Sequence, residues 1–202
     1  LDRKHLVQSI IAYLAVKKNL ELTDCNAFTV PCPDVCSTRR LNDMGFTFCF
    51  THSLLNAQGI PSACEYDVSA AVSMMVLTAV SNKAPTMGNT NSIPLVDGKL
   101  ITEWFQSLDP EDLKDIEDKK NLYYTFHSVH NNQMEGLDEK PTDYVLRHFA
   151  YEQGFGAVMR HDFSKDIGRE ITMVRFSPDC KKLFIGKGTV VGGGGLDKNN
   201  CD

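Results

Sequence analysis

The chain has 202 residues, 42% of them hydrophobic and 23% charged, with a formal net charge of −5. That length suffices for one domain or two small ones, and a mean hydropathy of −0.24 with no apolar run near ~20 residues excludes a helical membrane span. The mild acidity, with no cluster of Lys and Arg, speaks against a binder of nucleic-acid phosphates.

Residues 4–19 place Leu6, Ile10, Ile11, Leu14 and Val16 at helical spacing, which predicts an amphipathic helix rather than a signal peptide. The start without Met and the glycine-rich end VVGGGGLDKNNCD lead us to expect a fragment. Ala27 to Val30 reads as a short strand, stopped at Pro31-Cys32-Pro33, where two prolines argue against helix or central strand. FTFCFTHSLLNAQ is helical in pattern, with Gly59 as its C-cap ahead of the apolar run Ile60 to Cys64. Residues 68–80, VSAAVSMMVLTAV, are apolar on nearly every face and predict a helix buried between layers. Lys83 to Gly88 reads as a further extended piece. This alternation predicts an α/β class with a Rossmann-like parallel layer over residues 1–90, in which ligands gather beyond the carboxyl ends of the strands. Glu65 and Asn89 fall just past two such ends.

Residues 91–202 differ in character. A hairpin is predicted around Asp97-Gly98, and LDPEDLKDIEDKK is a charged surface segment with Pro110 suited to a helix first turn. Leu122 to Val129, Gly156 to Arg160, Ile171 to Phe176 and Lys182 to Ile185 read as strands, so this part is expected to be mainly antiparallel β. The glycine run 192–195 reads as a flexible or close-approach loop.

Seven cysteines form no paired zinc pattern; Cys32 and Cys36 lie alone in CPDVC. They read as reduced thiols of a cytoplasmic protein, with a zinc site as the alternative. Glu65 opens onto the helix at 68, where its charge suits either a metal-binding or proton-transferring role or, with Asp67, simple capping. Asn89, 24 residues further on, would supply a neutral oxygen ligand or serve as a turn residue in MGNTNS. His127 and His130 need a turn between them to share a ligand, and His148 precedes a Gly-x-Gly pattern. His5, His52 and His161 read as structural. There is no nucleophile elbow, P-loop or dinucleotide fingerprint.

The run DCNAFTVPCPDVCSTRRL, then THSLLNAQGIPSACEYDVSAAVSMMVLTAVSNKAPTMGNT, and later FHSVHN, RHFAYEQGFG and REITMVRF, resembles the L-fucose isomerase-like family, related to L-arabinose isomerase. ACEYD is its strongest motif. The resemblance implies a Rossmann-like domain followed by a β-barrel-like one, and a Mn²⁺-dependent aldose–ketose isomerase working through an enediol. It implies Glu65 as metal ligand and catalytic carboxylate, Asn89 where the family has Asp, and His127 as a substrate-binding residue. A homo-oligomer acting on a monosaccharide is implied, as are a preceding domain and a metal-binding His beyond Asp202. Because Asn89 lacks the charge of Asp, a sugar-binding or structural paralogue without catalysis is the alternative.

Overall fold

The computed structural model describes residues 1–37, 40–103, 105, 110–149 and 155–194. Helix α1 (Arg3–Thr23) starts where Asp2 Oδ1 accepts the Lys4 N–H at 2.7 Å and ends on Asp24 in the left-handed conformation. It turns its small residues Ser9 and Ala12 inward, against helix α4 (Cys49–Asn56) and strand β8 (Phe155–Arg160), and leaves Ile11 and Leu14 more than half exposed. Small side chains there allow the close approach. Strand β1 (Phe28–Thr29) pairs in parallel with β2 (Ser62–Ala63). Between them lie α2 (Cys32–Ser37), α3 (Arg40–Met44) and α4. Helix α2 corrects the expectation of a loop at Pro31 to Pro33: Pro33 falls in the first helical turn, where no amide hydrogen is needed.

Helix α5 (Val68–Ser81) follows β2 and is buried on one side only. Ser69, Ala70, Ala71, Ser73 and Met74 face the protein, whereas Val68 and Val80 are largely exposed. The expected burial between two layers does not occur. Among the described residues the parallel part is a single pair, β1 with β2. Residues 83–88 form no strand, because their backbone is engaged elsewhere: Ala84 N–H donates to Gln133 O at 3.1 Å, and Asn131 Nδ2 donates to Pro85 O at 3.1 Å.

The remaining pairs are antiparallel. Strand β3 (Asn89–Ser92) joins β6 (Tyr123–Phe126), and β4 (Leu95–Val96) forms the predicted hairpin with β5 (Lys99–Leu100) around Asp97 and Gly98, both at positive φ. A single 3₁₀ turn runs over Pro110–Leu113. Strand β7 (Val145–Phe149), which the sequence did not announce, pairs with the fully buried β8. A second 3₁₀ turn, Phe163–Asp166, leads to β9 (Glu170–Phe176), paired with β10 (Leu183–Thr189). The Gly-x-Gly pattern is only half described: Gly154 lies outside the described residues, as do residues 195–202 of the glycine-rich end, Cys201 among them. The Cys36 side chain is likewise outside them. Gly156 needs its lack of a side chain, because at φ +61 a Cβ would stand 2.7 Å from the Thr47 backbone nitrogen.

The main core joins both parts of the chain. Cys32, Leu41, Phe46, Cys49 and Cys64 pack with Val129, Phe149, Phe155 and Val158. Helix α5 is docked onto β9 by the Phe176 N–H to Ser73 Oγ bond, 3.0 Å, and by an Arg175–Asp67 ion pair. The chain is thus of mixed α and β class. Among the described residues no helix is long and apolar enough to cross a membrane.

Asn56 is buried and grips both backbone polar groups of Ser62, donating to its carbonyl at 2.9 Å and accepting its N–H at 2.8 Å. Asn56→Ala leaves two buried backbone groups unsatisfied and should cost about 2–4 kcal/mol. Urea unfolding measures this, and a loss below about 1 kcal/mol would show that the clamp is dispensable.

Candidate functional site

The β2 strand ends in an unusual turn. Glu65 and Tyr66 both adopt positive φ, 62° and 56°, a left-handed conformation that costs a non-glycine residue about 1–2 kcal/mol. Three backbone bonds hold it: Tyr66 N–H to Val30 O, Asp67 N–H to Cys64 O and Val68 N–H to Tyr66 O, all 2.9–3.1 Å. Asp67 caps helix α5, its Oδ1 accepting the Ala70 N–H at 2.8 Å and the Ser69 hydroxyl at 3.0 Å. The capping role considered for both acids therefore belongs to Asp67. Glu65 is left free to point at other groups.

Those groups are the other two residues singled out from the sequence. Asn89, at the start of β3, donates from Nδ2 to Glu65 Oε1 at 3.4 Å. His127, just past β6, places Nε2 3.5 Å from the same oxygen. Strands β3 and β6 are paired with Asn89 opposite Phe126, which is why residues so distant in sequence arrive together. His127 Nδ1 accepts the Ser128 N–H at 2.9 Å, so the ring proton sits on Nε2, facing the carboxylate. Arg160 Nη1 fixes the same residue from behind, donating to His127 O at 3.0 Å. The His127 side chain is fully buried while that of Glu65 keeps 33% exposure, so the carboxylate is the part open to a ligand.

Hydrogen bonding from His127 is the main influence on Glu65; it outweighs the opposing effect of burial and holds the carboxyl below its usual range. Glu65 is therefore ionised at neutral pH. Beyond it, the cluster continues into the protein. Burial pushes the pKa of His52 down to about 4, with Cys32 opposing and His127 adding to the shift. Burial likewise pushes His130 down to about 3, assisted by Arg160, His127 and His161. Both rings are neutral.

The remaining histidines lie apart from Glu65. His130 accepts the His161 N–H on Nδ1 at 3.2 Å, and His161 pairs through Nε2 with Asp166 at 2.6 Å. His130 thus turns to the β8 side and shares no ligand position with His127. His148 receives the Asp2 N–H at 3.3 Å and meets His5 edge-on, which makes it an anchor for the start of α1.

A divalent ion would find Glu65 as a donor of ordinary kind and the Asn89 carbonyl as a neutral one, while His127 presents an N–H to that side. Among the described residues no three His, Cys, Asp or Glu side chains gather to hold an ion. The residues described fall short of a manganese centre by at least one charged or imidazole donor. Of the described cysteines, Cys32, Cys49 and Cys64 are buried, and Cys25 and Cys180 are exposed.

Two contributors escaped the sequence reading. His52 was expected to be structural, yet it lies in electrostatic reach of His127; a histidine inside the buried run FTFCFTHSLLN was its available signal. Arg160 ends the apolar run GAVMR, and a charge closing a buried strand was the clue there. No protein-family model, curated protein or solved structure matches this chain.

The two neutral histidines fix the acid response. Each binds a proton more readily once unfolded, so stability is level above the ordinary value of 6.5 and falls as pH drops toward about 4 for His52 and about 3 for His130. His52 alone should remove roughly 3 kcal/mol across its window. Urea midpoints measured from pH 8 to pH 4 should be flat and then decline, and a midpoint unchanged at pH 4.5 would contradict the burial of these rings.

Proposed function

We propose that the chain is part of a sugar isomerase of the fucose/arabinose type, in which the Glu65 cluster binds a monosaccharide and Glu65 carries the proton of an aldose–ketose interconversion. The observation that supports it most is the convergence of Glu65, Asn89 and His127 from three elements onto one carboxylate oxygen. A carboxylate held ionised can take the proton from the carbon beside a sugar carbonyl and return it to the neighbouring carbon through an enediol. The Nε2–H of His127, 3.5 Å from that carboxylate, is placed to donate to a sugar oxygen beside it.

The finer architecture belongs to the same proposal. The parallel β1–β2 pair would be the remnant seen here of a Rossmann-like layer over residues 1–90, and the antiparallel pairs part of a barrel-like domain over 91–202. A homo-oligomer is proposed too, with the exposed apolar stripe of Val7, Ile11 and Leu14 on α1 in its favour. A reducing, cytoplasmic setting is proposed too, favoured by seven cysteines, an odd number, with no paired spacing pattern. The net charge of −5 favours partners other than nucleic acid.

Mn²⁺ enters this reading through Glu65, with a further donor from outside the described residues. A second reading, a sugar-binding paralogue without catalysis, is favoured by Asn89, whose amide offers a donor where a metal site would want a charged acceptor. Calorimetric titration with Mn²⁺ tests the pair. Binding that Glu65→Ala abolishes supports the isomerase reading; wild type and Glu65→Ala with the same heat of titration overturn it. Aldose turnover in the intact parent separates the two readings, since the paralogue binds sugar and yields no ketose. Asn89→Asp supplies the absent charge and should tighten Mn²⁺ by about tenfold or more; unchanged affinity would show that position 89 does not face the ion.

A further inference from the structure

The β3–β6 pair, whose end meets Glu65, carries an aromatic surface that the proposed proton transfer does not use. Its register fixes which residues share a face. Thr90 lies opposite Thr125 and their hydroxyl oxygens meet at 3.0 Å, so both point to one side; Asn89, Asn91, Tyr124 and Phe126, at the alternate positions, share the other. There Tyr124 and Phe126 stack, with ring centroids 5.3 Å apart and planes 21° from parallel. Phe105 meets Tyr124 edge-on at 5.6 Å, and both pack against the Ile93, Leu113 and Leu122 core. Tyr124 is thus anchored and gives Phe126 a fixed backing.

Core packing accounts for Tyr124 but not for Phe126, which is half-buried and belongs to none of the core clusters among the described residues. Directly across the ladder stands Asn89, a polar partner, with Cβ atoms about 4.5–5.5 Å apart at such a position. The Asn89 amide reaches Glu65 Oε1 at 3.4 Å, so one side chain separates the ring from the carboxylate. Because Tyr124 lies two residues earlier, it covers the ring face that looks back along β6. The opposite face looks past the strand end, where Asn89 and His127 meet Glu65. A monosaccharide offers two kinds of surface to such a place: a rim of hydroxyls, and C–H groups gathered on the faces of its ring. The weakly positive C–H groups settle on the negative face of an aromatic ring, and small-molecule sites commonly join an apolar wall to a few polar groups in this way.

Resting on the monosaccharide site proposed above, we propose that Phe126 is the stacking floor of that site, against which the C–H face of the aldose in its pyranose form lies while Glu65, Asn89 and His127 meet its hydroxyls. Phe126 is then a specificity-determining residue, favouring the closed ring over the open-chain alditol of the same sugar.

L-Fucose, L-arabinose and D-xylose, titrated calorimetrically into the full chain with and without Mn²⁺, identify the aldose that binds best, and its alditol is the open-chain control. Wild type should bind the aldose more tightly than the alditol. Phe126→Leu keeps apolar bulk and removes the aromatic face, so aldose affinity should fall about three- to tenfold while alditol affinity changes little. Phe126→Trp should match or exceed wild type. If Phe126→Leu binds the aldose as wild type does, or loses aldose and alditol equally, this inference falls; abolition of binding by Glu65→Ala then shows that the site itself stands. If wild type binds none of the three sugars under either condition, the monosaccharide reading fails and the inference with it. Should Phe126→Leu not fold, proton NMR of the wild-type complex decides. The sugar C–H protons should move upfield and show Overhauser contacts to the Phe126 ring, and a bound aldose showing neither overturns the assignment.

Discussion

Strand β2 is two residues long, too short for its ladder with β1 to hold it. What holds it is Asn56, whose side-chain amide pairs with both the N–H and the carbonyl of Ser62 and so takes the place of a third strand on the open side. The geometry is that of a backbone ladder step supplied by a side chain. Because Asn56 ends α4, the clamp also fixes that helix relative to the strand, and the His52 ring one turn earlier meets Ser62 Oγ as a consequence. One amide thus sets helix, strand and buried histidine in register. The turn that carries Glu65 begins two residues after Ser62, so its position inherits this register.

From there the site follows by short steps. The left-handed pair Glu65 and Tyr66 reverses the chain quickly enough for Asp67 to cap α5, and Arg175 on β9 closes over that same cap. An N-cap that is also an ion pair ties the strained turn to a distant hairpin. Strain of this kind persists only where neighbours over-determine the backbone, and here they do: Val30, just past β1, accepts the Tyr66 N–H, Asp67 caps α5, and β3 with β6 bring Asn89 and His127 to the carboxylate.

Much of this was legible in the sequence where the signal is local. The helix over 68–80, the hairpin at Asp97-Gly98 and the Gly59 turn follow from periodicity and from positive-φ chemistry. What was not legible depends on long-range partners. Residues 83–88 look extended, but nothing local says that Asn131 and Gln133 will take their backbone groups in place of a parallel neighbour. An apolar composition on every face of α5 cannot tell which face the protein covers. Pro33 misled for a different reason: prolines exclude helix interiors, and a helix of six residues barely has one. His52, read as structural, is buried and bonded to Ser62 Oγ at 2.7 Å.

Charge at the site explains why an amide stands at position 89. Glu65 is the carboxylate on which Asn89 and His127 converge. A carboxylate in place of Asn89, 3.4 Å from Glu65 Oε1, would repel it by on the order of a few kcal/mol unless a cation lay between them. It would also raise the Glu65 pKa, undoing what the His127 hydrogen bond achieves. An amide donor does the reverse, adding to the stabilisation of the ionised form. The local chemistry of Asn89, His127 and Glu65 is therefore self-consistent for one carboxylate kept ionised at neutral pH by the hydrogen-bonding groups beside it.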